Sequence, residues 1–362
     1  MNTCVSIGNA AFSGCLGLRN TDISKASTIG NSAFEYCTGL TNIKIKSGVS
    51  LPIGCFVGCS NLSAVYNLNQ CTSIGVSAFD GCTSLQTADI SSCSNIDEYA
   101  FWGCTNLTTV KIKPGIELKH GTFAGCSNLT TVYNLNKCTA INRENYEPGP
   151  FSGCTSLQNS DLSSCTYIGM FAFGYSDYFS GACTSIMSIK LASGVEIQES
   201  AFYGCSNLSR VDNIKNCKYI GDRAFEGCNS LKNLDASGAE FIGYEAFRDT
   251  SLETLKLGQN VTVYEQDSYT LLGNAIDTLR EVTIPSGWSV PNNLFSGCSN
   301  LEVVYNLAYA TAIGDTAFMG CGKLSNSKLL SCSSIGEYAF SECSAVTFSN
   351  LSNARYIGDE AF

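Results

Sequence analysis

Histidine is all but missing from this 362-residue chain: His120 is the only one. A Ser-His-Asp or Cys-His catalytic arrangement would have to use it. It lies in the stretch ELKHGTF, at a position where comparable stretches of the chain carry Ser, Tyr or Arg, so it reads as a variable corner residue. Charge is scarce too, at 14% of residues against the usual quarter or so. Lys and Arg form no cluster, and the net charge is −10. A nucleic-acid binder needs a basic stripe to displace counterions from phosphate, and an anionic membrane surface makes the same demand; neither partner is expected. No apolar run approaches the roughly 18 residues of a membrane-spanning helix. The opening MNTCVSIGNAAF has no basic region or long apolar run of the kind that marks a secretory leader. Glycine-rich phosphate loops are absent. The carboxylates recur singly and lack the paired, buried context of an acid/base couple. No cofactor is expected.

What is present is repetition. Aligned on a recurring Ala-Phe, the Phe falls at Phe12, Phe34, Phe56, Phe79, Phe101, Phe123, Phe151, Phe173, Phe202, Phe225 and Phe247, then at Phe295, Phe318, Phe340 and Phe362. Most steps are 22 or 23 residues, and a degenerate unit near Leu271 or Leu272 fills the gap, giving about 16 units. An Ile-Gly pair precedes the Phe, a Cys follows it by three and a Leu by six, as in Leu40, Leu62, Leu85 and Leu107. A stretch such as Leu40-Thr-Asn-Ile43-Lys-Ile45 then alternates with period two, the pattern of a strand with one buried face. About 22 residues are too few for a helical crossover. They suit one strand, a tight corner and one helical turn or extended segment. Asn31, Asp222 and Asp315, just after the Ile-Gly, are expected to cap that turn through backbone N–H groups.

The 21 cysteines fall in two columns, one after the Phe and one three residues before the Ile, with Cys55 outside both. Zinc sites favour C-x-x-C pairs, which are absent. Disulfides between adjacent turns compete with free thiols. Stacked strands are roughly 4.8 Å apart, whereas a bridge prefers Cβ atoms at about 3.8 Å. Where the second column lacks Cys it has Ala26, Ala239, Ala310 or Ala354. That exchange favours buried thiols acting as small apolar filler.

A second period of 67 overlies the first: CSNLSAVYNLNQC at 59–71 returns as CSNLTTVYNLNKC at 126–138. Three unit types alternate, carrying K-I-x-x-G, V-Y-N-L and D-[IL]-S-S-C. The position four after the repeat Leu lies between two buried strand residues and so faces outward. Read along the chain it gives Lys44, Tyr66, Asp89, Lys111, Tyr133, Asp161 and Lys190, then a less regular run to Tyr305. Such a row solubilises a wide sheet, and its tyrosines are also good contact residues for a protein partner. Lys44, Tyr66, Asp89, Lys111, Tyr133, Asp161 and Tyr305 are therefore candidate contact residues. Insertions at 142–150 and 174–182 add Tyr146, Tyr175 and Tyr178; insertions in repeat proteins tend to emerge on the binding side.

The wording IG-x-x-AF-x-x-C-x-x-L-x-x-I-x-I resembles the BspA-like class of the leucine-rich-repeat family across essentially the whole chain, departing from it around 264–280. The resemblance implies an α/β repeat. It would be one right-handed leucine-rich-repeat solenoid over residues 1–362, with a parallel sheet on a concave face that carries the Lys/Tyr/Asp row. Both ends stop in mid-pattern, so the chain is expected to be part of a longer protein. The resemblance further implies a monomeric, non-enzymatic adhesin outside the cell or on its surface, binding a host matrix or cell-surface protein. A spacer that holds another domain away from the cell is the alternative.

Overall fold

The computed structural model describes residues 3–143, 148–158, 161–175, 181–263, 271–325, 328–347 and 351–362. The chain divides into two compact units. Unit 1 comprises residues 1–190 with 201–205, and unit 2 comprises 191–200 with 206–362. Each is built of stacked turns, about fifteen along the chain, with almost no helix.

One turn explains the rest. In the segment 40–45, Leu40, Ile43 and Ile45 are fully buried while Lys44 points out. The strand Asn42–Lys44 runs parallel to Asn20–Asp22 and Ala64–Tyr66 in exact side-by-side register, with Asp22 opposite Lys44 and Lys44 opposite Tyr66. Identical sequence positions therefore stack into columns, each turn covering the apolar residues of its neighbour. The Phe column is the spine. In unit 1 the rings run from Phe12 to Phe202 with centroids 5.0–5.8 Å apart and nearly parallel. Burying one such ring contributes about 1.5–3 kcal/mol, and each aromatic pair adds about 0.5–1.5 kcal/mol more. In unit 2 the column is interrupted. Phe225 and Phe247 stack at 6.2 Å and Phe295, Phe318, Phe340 and Phe362 at 5.2–5.9 Å. Between the two groups, Phe247 N–H donates to Leu271 O at 2.9 Å, as Phe225 N–H does to Ala246 O. That bond sets Leu272 in the Phe place, and Leu272 is fully buried.

All 21 cysteines are free thiols. Their burial agrees with the filler reading, but they also bond. Ten thiols of the Phe column donate to the Phe carbonyl of the preceding turn, among them Cys37 to Phe12 O at 2.9 Å, Cys104 to Phe79 O at 3.1 Å and Cys321 to Phe295 O at 3.2 Å. Burial pushes the Cys59 and Cys71 thiols up to about 12, so these groups stay protonated in the folded chain.

A second parallel sheet face was not anticipated. The two residues before the motif glycine, or before the Pro52 or Asp97 that takes its place, form short strands, such as Ser50–Leu51, Ser73–Ile74 and Asn95–Ile96 in unit 1, paired in register. Unit 2 repeats the arrangement with Glu196–Ile197, Tyr219–Ile220, Phe241–Ile242 and Thr262–Val263. The glycine of the Ile-Gly pair is required by proximity: Gly75 N–H bonds Leu51 O at 2.9 Å, and a Cβ there would lie 2.8 Å from the Pro52 carbonyl carbon.

Two expectations are corrected. The α-helical layer of an α/β repeat is missing: among the described residues the helical segments are five short 3-10 turns. The Asp after the Ile-Gly does not cap its own turn. Asp222 Oδ1 accepts from Tyr244 N–H at 2.8 Å and Asp315 Oδ1 from Glu337 N–H at 2.9 Å. These bonds lock one turn to the next.

Candidate functional site

Within each sheet the outward row is a column of residues in register, and its three residue types are tied to three ways of leaving the strand. After the Lys44, Lys111 and Lys190 strands the chain turns at a glycine with positive φ, Gly48 at 77°, Gly115 at 81° and Gly194 at 71°, a conformation open to glycine at little cost. After each Tyr strand it turns at a left-handed asparagine: Asn67, Asn134 and Asn306 have φ of 69–70°. Their side-chain amides donate to Ile45 O, Ile112 O and Ile284 O, each at 2.9 Å. The 3-10 turns Leu68–Gln70, Leu135–Lys137 and Leu307–Tyr309 follow. After the Asp89, Asp161 and Asp235 strands the carboxylate itself holds the turn. Asp89 Oδ1 accepts from Ser91 N–H at 3.1 Å and from the Ser91 hydroxyl at 2.6 Å, and Asp161 and Asp235 accept from Ser163 and Ser237 N–H.

This chemistry divides the long-strand face. Strands 20–22, 42–44 and 64–66 form one three-stranded sheet and 87–89, 109–111 and 131–133 another, the ladder stopping after each Tyr strand. Within a sheet the row is charge-matched. Lys111 Nζ lies 3.6 Å from Asp89 Oδ2, Lys190 Nζ 3.9 Å from Asp161 Oδ2 and, in unit 2, Lys256 Nζ 3.9 Å from Asp235 Oδ2. Burial pushes the Asp89 carboxyl up, but the Ser91 hydrogen bonds and the Lys111 ammonium outweigh it and hold the group below its usual value. Tyr66 and Tyr133 are each 56% exposed, and Tyr305 is 48% exposed. Tyr305 hydroxyl donates to Glu281 Oε2 at 3.2 Å.

Of the insertion tyrosines, Tyr146 and Tyr178 lie outside the described residues. Tyr175 sits two residues after Phe173, at the Phe corner and away from the strand row. It is partly exposed and packs edge-to-face on Tyr203 at 5.8 Å. The structure therefore gathers Lys44 with Tyr66, and Asp89 with Lys111 and Tyr133, and leaves Tyr175 on another surface of the turn.

Unit 2 holds features the sequence reading missed. In unit 1 the column one residue after the repeat Leu includes hydroxyls at Thr41, Ser63, Thr108 and Thr130, and Thr108 and Thr130 donate to the carbonyls of Gln86 and Thr108 at 3.0 and 3.1 Å. In unit 2 it carries ion pairs, Lys232 with Glu253 at 2.8 Å and Arg280 with Glu302 at 3.2 Å. At the Phe corners, Arg223 and Arg248 bracket the buried Glu226 and Glu245 at 3.0–3.7 Å. Burial pushes Glu226 up despite both guanidiniums. Spacings of three, Arg223 to Glu226 and Glu245 to Arg248, on consecutive turns were the available signal. A cleft of about 830 Å³ opens on the long-strand face of unit 2, walled by Arg210, Asp212, Asp235, Lys256, Glu281 and Tyr305.

Chemically, these surfaces offer hydrogen bonds, ion pairs and phenol rings. Among the described residues no group of three or more His, Cys, Asp or Glu is placed to hold a metal ion, and no helix is long and apolar enough to cross a membrane.

Comparison with known proteins agrees with this architecture. The family described as BspA type leucine rich repeat region (6 copies) matches residues 1–107, 27–148, 92–180, 147–271 and 274–362. No curated protein matches the chain. A solved leucine-rich repeat protein from Bacteroides ovatus is 22% identical over 98% of this chain and 87% of that one, with a TM-score of 0.51, which shows a shared fold. A leucine rich cell surface protein from Faecalibacterium prausnitzii is 18% identical over 93% of this chain and 88% of its own, with a TM-score of 0.37. A leucine-rich repeat protein from Eubacterium ventriosum is 20% identical over 86% of this chain and 85% of its own, with a TM-score of 0.33.

Proposed function

The chain belongs to the BspA type leucine-rich-repeat family, and on that premise we propose that it is a non-enzymatic, monomeric protein-binding module, presented outside the cell or on its surface and adhering to a host matrix or cell-surface protein. The observation that carries this reading is the exposure of Tyr66 and Tyr133 in unit 1 and of Tyr305 in unit 2 at the same outward strand position, each on the last strand of its sheet. A phenol ring offers large contact area at low entropy cost and a hydroxyl for orientation. Lys44, Lys111, Asp89 and Asp161 frame these rings, and Tyr146, Tyr175 and Tyr178 belong to the proposal as a secondary loop surface. The test is capture of extracellular-matrix proteins by the purified chain and by a Tyr66→Ser/Tyr133→Ser double variant. Capture should fall about tenfold or more in the variant, as truncation of central aromatic anchors does at other interfaces; equal capture by both would remove the row from consideration.

One observation favours the second reading, a spacer. The Lys and Asp residues satisfy each other, and Asp89, Asp161 and Asp235 also hold their own turns. Their presence is accounted for without any partner. A chain that captures nothing from matrix, wild type included, would support the spacer.

A further inference from the structure

We propose that unit 2 carries a binding cleft for a neutral oligosaccharide, opened by the replacement of a tyrosine with Asp212. In three cycles of the repeat the strand ends V-Y-N-L. In a further cycle, between the second and third of these, it ends Val211-Asp212-Asn213-Ile214. The backbone is unchanged: Asn213 is left-handed at φ 67° and the 3-10 turn Ile214–Asn216 follows. The ladder likewise stops between strands Arg210–Asp212 and Asn233–Ala236. What differs is the side chain over that step. A phenol ring stands there in the other cycles, and a short carboxylate stands there here. The cleft lies at this step and extends as far as Tyr305.

The lining decides the ligand class. Arg210, Lys215 and Lys256 balance Asp212, Asp235 and Glu281, and the charges are already matched. Arg210 Nη2 lies 3.2 Å from Asp212 Oδ2 and Lys256 Nζ 3.9 Å from Asp235 Oδ2. A polyanion or a basic peptide therefore gains no net Coulomb attraction from the walls. The apolar side chains of Val211, Leu234 and Leu255 are buried beneath the floor, and the walls expose apolar and polar surface in comparable amounts. The surface that remains presents fixed carboxylates, a guanidinium and the short polar Asn233 and Thr254, with donors and acceptors interleaved. A ligand whose hydroxyls both donate and accept satisfies such walls without disturbing their ion pairs. Adjacent hydroxyls on a sugar ring match the two-pronged geometry of a carboxylate or guanidinium. Tyr305, half exposed at the far end, offers a flat apolar face for the C–H side of a pyranose. The cleft spans five successive long strands, at roughly 4.8 Å per strand, so it suits an elongated chain of a few sugars better than a monosaccharide.

The proposal shares Tyr305 with the protein-binding reading, but that reading is tested at Tyr66 and Tyr133 and this one turns on Asp212, so each can fail alone. Its test is calorimetric titration of the whole chain with cellotetraose, maltotetraose, mannotetraose and xylotetraose, and separately with decalysine. At least one tetrasaccharide should bind in the micromolar to millimolar range. Asp212→Tyr restores the ring found in the other cycles and should weaken that binding by about tenfold or more with the melting temperature unchanged. Tyr305→Ala, at a half-exposed position, should weaken it as well, and it serves if Asp212→Tyr fails to fold. Three results would overturn the proposal: no heat with any tetrasaccharide at millimolar concentration, undiminished binding by both variants, or decalysine binding that Asp212→Tyr abolishes where no sugar binds.

Discussion

Unit 1 holds 15 of the 21 cysteines and nearly balances its charge, with 10 Lys and Arg against 11 Asp and Glu. Unit 2 holds 6 cysteines, with 11 basic residues against 20 acidic ones. Both are built from the same turn, with the same Phe corner, the same buried Leu and Ile positions and the same two parallel sheet faces. The difference is how the leftover polar groups are satisfied. In unit 1, thiols and hydroxyls bond to the carbonyl one turn back, so the columns are neutral and nearly self-saturating. In unit 2 thiols still bond one turn back, as Cys321 does, but the column after the repeat Leu and the Phe corners also hold ion pairs. A stacked column accepts either solution because each position meets its equivalent on the next turn. Like-sized neutral groups form a ladder, and charges must alternate.

Alkali should separate the two most. Buried thiols whose folded-state pKa exceeds the unfolded value of about 8.5 bind their proton more tightly when folded. The stability this brings is fully present below that pH and is lost as pH rises towards the folded value. Burial pushes Cys59, Cys71, Cys93, Cys138 and Cys205 in unit 1 up to about 12, against Cys217 and Cys298 in unit 2. Between roughly pH 9 and 12 each such thiol removes about 1.4 kcal/mol per pH unit, so several together exceed any single substitution. Urea midpoints at pH 7 and pH 10, with alkylated cysteines mapped by mass spectrometry, should show unit 1 losing more. Equal losses would mean the thiol column is not what distinguishes it.

The spine gives the next largest effect. Phe101 is stacked between Phe79 at 5.0 Å and Phe123 at 5.5 Å, so Phe101→Ala should cost about 3–5 kcal/mol. Leu272→Ala, at the break in the unit 2 column, falls in a range of about 2–5 kcal/mol. Its flanking rings have no stacking partner there to lose, so the smaller loss is expected. Chemical denaturation of both variants checks the order.

The features that define this comparison were unevenly legible in the sequence. The Phe and Cys columns and the Lys/Tyr/Asp row could be read directly, because each depends on one residue recurring at one spacing. The short-strand face could not. Two residues such as Ser73–Ile74 carry no alternation to detect, and they count as a strand only because Ser50–Leu51 and Asn95–Ile96 lie beside them. The meaning of Asp89 was half visible. Its place in the row was plain, but its bond to Ser91 shows that the cycle of residue types is also a cycle of turn types. The pairs Lys232–Glu253 and Arg280–Glu302 were hidden because the partners are about one turn apart in sequence, at a column not singled out for facing outward.

Those pairs supply the smallest and most specific way to test the contrast. Thr108→Val in unit 1 removes a neutral hydrogen bond to Gln86 O. It should cost about 0.5–1.5 kcal/mol, and the cost should not depend on salt. Glu253→Gln in unit 2 removes a carboxylate whose pKa is lowered chiefly by the hydrogen bond and charge of Lys232. Because the pKa is lowered on folding, the contribution is present above the usual glutamate range and is lost as pH falls through the folded value. The pair is exposed, so its effect on the urea midpoint should be slight at low salt. It should vanish near 1 M salt, where the screening length shrinks to about 3 Å. A salt-independent loss in Glu253→Gln would mean that packing of the side-chain stem, and not charge, holds this column together. The acidic excess of unit 2 would then be a surface property with no part in stacking its turns.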